Sequence, residues 1–258
     1  MLKRLLLLCA VAAAVVGVDA RVGGVAEAAE VKVLTSVALT AALGELAPRF
    51  EKATGDKVTI AYGLAAEMKK RVLDGESADV ILITRPMMEE LQKQNKLAAN
   101  SLVDVAGTPV AVAARAGASK PDISSADALK RTLLAAKSVA YSDPAKGGVS
   151  GIHFAQVLER LGIADQMKSK SVLVSGALAP EVVAKGEAEL GVGQASEIVP
   201  VAGVELVGPL PGELASTTVF AAAVGAESKA AAAAKALIVF LTGPQAGPIF
   251  KAKGFEPR

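Results

Sequence analysis

The spacing of apolar residues changes period repeatedly along this chain. Val31, Val33 and Thr35 alternate as a short strand, and from Leu39 the apolar residues fall at 39, 43, 46, 47 and 50, a helical period. Ser36 stands between the two, where a hydroxyl can cap a helix start. Lys57 to Tyr62 (KVTIAY) predicts a second strand; Gly63 breaks it, and Ala65 to Leu73 predicts a helix that Gly75 ends. Val80 to Thr84 (VILIT) is short and nearly all apolar, the pattern of a parallel strand covered on both faces. Pro86 opens a further helix, Met87 to about Asn95. Three strand–helix repeats in succession predict an α/β fold on a parallel sheet.

Thr108 to Ala114 (TPVAVAA) predicts the next strand, followed by the Gly- and Pro-containing stretch Gly117 to Ser125, and a first crossing between two lobes is placed here. A helix over 126–136 and a strand over 139–142 lead to the glycine-rich turn Asp143 to Gly148. Ser150 is expected to cap a helix running through Leu161, with 154, 157, 158 and 161 packed inward and His153, Gln156 and Arg160 on another side. Strands over 171–174 and 189–194 flank a helix near Pro180 to Lys185. Leu206 to Pro211 reads as a Pro- and Gly-rich loop, and Thr217 to Val224 as a strand crossing back to the first lobe. An alanine-rich helix, Lys229 to Leu241, and a segment over 244–253 close the chain.

The start of the chain adds an address. Lys3 and Arg4 precede an apolar run, Leu5 to Val18, of secretory rather than membrane-spanning length, with cleavage expected after Ala20 or, preferably, Ala28. Residues 1–28 are therefore expected to be a signal peptide, with a periplasmic product and no stable membrane insertion after cleavage. Cys9, the single cysteine, falls in this leader, so the mature chain would rely on its core instead of disulfides. Charge is nearly balanced, 28 Lys and Arg against 26 Asp and Glu, and aromatics are few, which argues against nucleic-acid recognition. One histidine and no mature cysteine argue against a metal site of the usual Cys/His type, and no phosphate-loop or dinucleotide motif calls for a cofactor.

Candidate chemistry gathers where strands meet helices. Ser36 and Thr40 sit at a helix start whose free N–H groups suit an oxyanion or carboxylate. Tyr62 and Gly63 end the second strand in a matching position. Arg85 follows VILIT directly and offers a planar fork for a carboxylate. Lys146, Val149, Ser150 and His153 belong to the opposing glycine-rich turn and helix, and Gln194 ends the strand GVGQ. Glu197 is a candidate to orient Lys146 or Arg85.

The ordered pieces VLTSVALTAALGELAPRFEKATGDKVTIAYG, GESADVILIT, SVAYSDPAKGG, VLERLGI, VVAKGEAELGVG and FLTGPQAGPIFKAKGF resemble the periplasmic solute-binding proteins of the molybdate-binding type. The resemblance implies a type II periplasmic-binding-protein-like fold with the ligand cleft between two lobes, lobe I at 30–108 and 212–258 and lobe II at 109–211. It also implies a small anionic ligand and an ABC permease as partner. The family's first-helix serine matches Ser36, its GSSG turn becomes Gly63-Leu64-Ala65-Ala66, and its late tyrosine becomes Gln194. With two hydroxyls gone, and Arg85 and Lys146 adding charge, an organic di- or tricarboxylate is the expected ligand. Two alternatives stand beside it: molybdate or another inorganic oxyanion, and a secreted aconitate-type isomerase with Arg85 and Lys146 as clamps. The base would then be His153, ahead of Tyr62 or Glu67.

Overall fold

The computed structural model describes residues 28–175 and 177–258. Except for Ala28, the expected leader, including Cys9, lies outside them. The chain runs through β1 (Glu30–Ser36), a 3-10 turn at Val37–Leu39, α1 (Thr40–Thr54), β2 (Lys57–Gly63), α2 (Ala65–Leu73), β3 (Val80–Thr84), α3 (Arg85–Lys93) and β4 (Val103–Arg115). There follow α4 (Ala126–Ala135), β5 (Val139–Ser142), a 3-10 turn at Pro144–Lys146, α5 (Val149–Arg160), α6 (Ala164–Met167), β6 (Ser171–Val174), α7 (Ala179–Lys185), β7 (Leu190–Gln194) and α8 (Ala195–Ile198). The chain ends through β8 (Val204–Pro209), β9 (Thr217–Val224), α9 (Ala231–Thr242), α10 (Gly247–Ala252) and β10 (Glu256–Pro257).

The strands follow the order β2-β1-β3-β9-β4-β7-β5-β6, with β8 and β10 paired to β4. Two parallel groups stand at the ends of this path: β1 with β2 and β3, and β5 with β6 and β7. The antiparallel strands β9 and β4 join them. This is the mixed α/β architecture of a two-lobed, type II periplasmic-binding-protein-like fold. β4 serves both groups: Val103–Pro109 pairs with β9, and from Val110 the strand pairs with β7 and β8. The change of partner thus falls inside one strand, ahead of the Gly117–Ser125 stretch. Pro109, which has no N–H to give to a ladder, stands at the switch.

The pattern over Leu206–Pro211, read as a loop, belongs largely to β8. That strand pairs antiparallel with Ala111–Arg115 at an edge, where a terminal proline such as Pro209 is tolerated.

Each lobe closes over its own core. All five residues of β3 are buried; Val80 and Leu82 pack with α1 and α9 residues such as Phe50 and Leu237, while Ile81 and Ile83 pack with Met68 and Leu91 on the opposite face. The unbroken apolar run of VILIT is explained by this double cover. In the other lobe Phe154, Val157 and Leu158 of α5 meet Tyr141 and Val192. Asp79 ties α9 to the sheet: Oδ2 accepts from the Lys32 N–H at 2.9 Å, and Oδ1 accepts from the Ser228 hydroxyl at 2.7 Å and the Ala230 N–H at 3.1 Å.

Candidate functional site

All six strands of the two parallel groups lead to one place, each through its last residue or the residues that follow it. Ser36 and Val37 after β1, Leu64 and Ala65 after β2, and Thr84 at the end of β3 form one wall of a cavity of about 40 Å³. Ser142 from β5 with Gly148 to Ser150, Leu178 and Ala179 after β6, and Gln194 from β7 form the other. In parallel sheets the strand ends and the helix starts coincide, so the first N–H groups of the long helices face this space. A water needs roughly 10–15 Å³ of such room, so the cavity holds about three waters, or one small oxyanion.

The donors come from short, tightly packed corners. The Ser36 hydroxyl is buried and accepts from the Ala38 N–H at 3.4 Å, capping the 3-10 turn that precedes α1. Gly148, not Ser150, is the residue that caps α5, and Ser150 is its second residue. The Ser142 and Ser150 hydroxyls lie 3.1 Å apart, and Ser142 Oγ accepts from the Gly151 N–H at 3.2 Å. Val149 and Ser150 keep the first N–H groups of α5, which have no acceptor within their own helix. This close approach requires glycine: a Cβ at Gly151 would stand 1.8 Å from the Ser142 carbonyl oxygen, and one at Gly148 2.6 Å from Ser142 Oγ.

The β7 corner is of the opposite character. Gln194 is only 3% exposed; its Nε2 donates to Thr218 Oγ1 of β9 at 3.2 Å, while its Oε1 is buried with no partner among the described residues. The Gln194 N–H donates to Glu197 Oε2 at 3.2 Å. Glu197 also lines the cavity and is half-buried; desolvation pushes its carboxyl up to about 7, against the opposing pull of the Gln194 N–H. None of the described lining residues is Lys, Arg or His.

Of the residues singled out in the sequence, Ser36, Val149, Ser150 and Gln194 come together in this cavity. Thr40, Tyr62 and Gly63 line an adjoining groove of about 500 Å³, shared with Glu67 and Glu181, that meets the cavity at Val37, Leu64 and Leu178. Burial raises the pKa of the Tyr62 phenol, which stays neutral there.

Three expected contacts lie elsewhere. Arg85 is held outside the lining, with Nη1 donating to Asp104 Oδ1 at 2.6 Å and Nε to Glu89 Oε1 at 3.0 Å. Thr84 takes the inward position at this strand end, and the next side chain goes to the other side. Lys146 is exposed at the end of its 3-10 turn, outside the lining. His153 is turned to the Leu214 carbonyl, to which Nε2 donates at 2.9 Å. Glu197 therefore has neither Lys146 nor Arg85 to orient. Thr84 was not expected here, and Ser142 only as the start of the opposing wall; the last residue of each short strand is the signal that marks both.

A family model described as "Bacterial extracellular solute-binding protein" matches residues 31–256. The chain belongs to this family. Among its relatives, a protein named aconitate isomerase from Pseudomonas sp is 35% identical over 231 residues, covering 87% of each chain. The molybdate-binding protein ModA of Azotobacter vinelandii is 33% identical over 241 residues, covering 89% of this chain and 91% of its own. The solved structure of an Azotobacter vinelandii periplasmic molybdate-binding protein superposes with a TM-score of 0.74 at 25% identity, covering 87% of this chain and 98% of its own. The chain is a solute-binding protein homologous to the molybdate-binding type. At the Gly63–Ala66 turn, Leu64 and Ala65 reach the cavity without a hydroxyl.

Proposed function

We propose that this solute-binding protein captures a small inorganic oxyanion between its lobes in the periplasm and presents it to an ABC permease. The observation that carries the reading is a small cavity at the ends of six parallel strands, with neutral donors on one side and no Lys, Arg or His among its described lining residues. Its room suits a tetrahedral ion better than a tricarboxylate. The expectation of an organic carboxylate rested on two absent hydroxyls and on Arg85 and Lys146 as clamps; the hydroxyls are absent from the lining, but neither cation reaches it. The molybdate-binding relatives support the same choice. Binding is then a shift towards the closed lobes, with the anion's hydration replaced by Ser36, the serine pair and the α5 amides.

Calorimetric titration with phosphate, arsenate, sulfate, molybdate, citrate and cis-aconitate tests this. Saturable binding of an inorganic anion is expected; binding of citrate or aconitate with no inorganic signal overturns it.

A second reading, a 1,3-proton shift on an aconitate-like tricarboxylate, is favoured by the relative named aconitate isomerase and by the carboxyl of Glu197. With His153 turned away, Glu197 would be the group that takes a proton from one carbon. As the double bond migrates, it would return that proton to the carbon at the other end of the allylic system. The substrate would have to extend into the 500 Å³ groove. Proton NMR of cis- and trans-aconitate with the protein and with Glu197→Gln decides: conversion lost in the variant supports this reading, and no conversion removes it.

A further inference from the structure

Opposite the donors, the β7 corner presents acceptors. Gln194 Oε1 is buried and unpartnered among the described residues while Nε2 donates to Thr218 Oγ1 of β9. One helical turn further on, Glu197 holds Oε2 against the Gln194 N–H and lines the same cavity. An ionised carboxylate only accepts hydrogen bonds, and rotation cannot make it a donor. Above about pH 7, where Glu197 is ionised, a fully deprotonated oxyanion in this cavity would therefore set oxygen against oxygen on one side.

We propose that Glu197 and Gln194 make this site selective for an oxyanion that carries an O–H of its own, the hydrogen phosphate class, over tetrahedral anions that carry none. This deepens the small-oxyanion reading and rests on it. The ligand's bare oxygens face Ser36 and the α5 amides, and its O–H points to the acceptor pair. A site built to satisfy a ligand's O–H rejects the analogue without one strongly, because buried polar groups are then left unpaired. Glu197 sits on α8, which packs against β4, β7, β8 and the Val37–Leu39 turn. Among the described residues, its proton affinity is set by desolvation and the Gln194 N–H, with no neighbouring charge contributing.

The test is calorimetry on the full-length mature protein with hydrogen phosphate, hydrogen arsenate, sulfate and molybdate at about pH 8, in two buffers of different ionisation enthalpy to count protons. Hydrogen phosphate or arsenate is expected to bind at least ~100-fold more tightly than sulfate or molybdate, with no proton uptake. In Glu197→Gln, whose amide can donate, sulfate and molybdate should gain at least ~10-fold and the preference should collapse. Sulfate or molybdate binding within ~10-fold of phosphate without taking up a proton overturns the inference but leaves the oxyanion reading standing. An unchanged preference in the variant also overturns it. Binding by none of the four ions overturns the oxyanion reading itself. Should the variant fail to fold, the wild-type panel and its proton count still decide.

Discussion

β3 and β7 are both five residues long, both buried throughout, and both lead directly into a helix at the same cleft. Their polar residues end up in opposite places. At β3, Thr84 faces the cavity and Arg85 leaves it for Asp104 and Glu89. At β7, Gln194 stays inside and the helix brings Glu197 back to the same cavity. A buried strand end therefore does not present whichever charged residue comes next. It presents the residue whose pleat and first helical turn face inward, and a long cation beside surface carboxylates finds its partners outside.

The largest effect expected from this contrast is on stability. Because burial raises the Glu197 carboxyl from an ordinary value of 4.5 to about 7, the folded state retains a proton that the unfolded chain has lost over that interval. Stability should therefore fall as pH rises from about 4.5 to about 7 and level off above, by up to ~3 kcal/mol. Urea unfolding at pH 5 and pH 7.5 checks this, and Glu197→Gln should remove the slope; an equal slope in the variant would move its source elsewhere.

A smaller effect is expected at the neighbouring side chain. Gln194→Ala removes both the buried, unpartnered oxygen and the bond to Thr218 of β9, and should weaken oxyanion binding by about 10-fold, or ~1.4 kcal/mol. Affinity unchanged by the substitution would place Gln194 in a purely structural role.

The smallest is at the other corner. Arg85→Ala should leave oxyanion affinity within about 2-fold and cost under ~1 kcal/mol of stability, as for other solvent-accessible ion pairs. A 10-fold loss of binding would return Arg85 to the site and erase the contrast between the two corners.

Much of this was legible in the sequence. VILIT and VAYS appear as strands at the positions the apolar pattern marks, and α2 spans the residues its period predicts. Four of the candidate contacts, Ser36, Val149, Ser150 and Gln194, meet in the cavity because each sits at a strand end or helix start. Arg85, Lys146 and His153 were misplaced because proximity along the chain says nothing of which way a long side chain turns, or of the partner it finds. β8 was hidden by its Gly and Pro, which an edge strand tolerates.

The sequence by itself determined the order of strands and helices and the sites where one gives way to the other, because period, glycine and capping residues act over a few neighbours. Only the tertiary structure decided that six such junctions share one small cavity, and that its walls are donors on one side and acceptors on the other. Those outcomes depend on the strand order across both lobes and on burial, which desolvates Glu197 and strands Gln194 Oε1. Neither quantity exists until residues far apart in the chain are packed together.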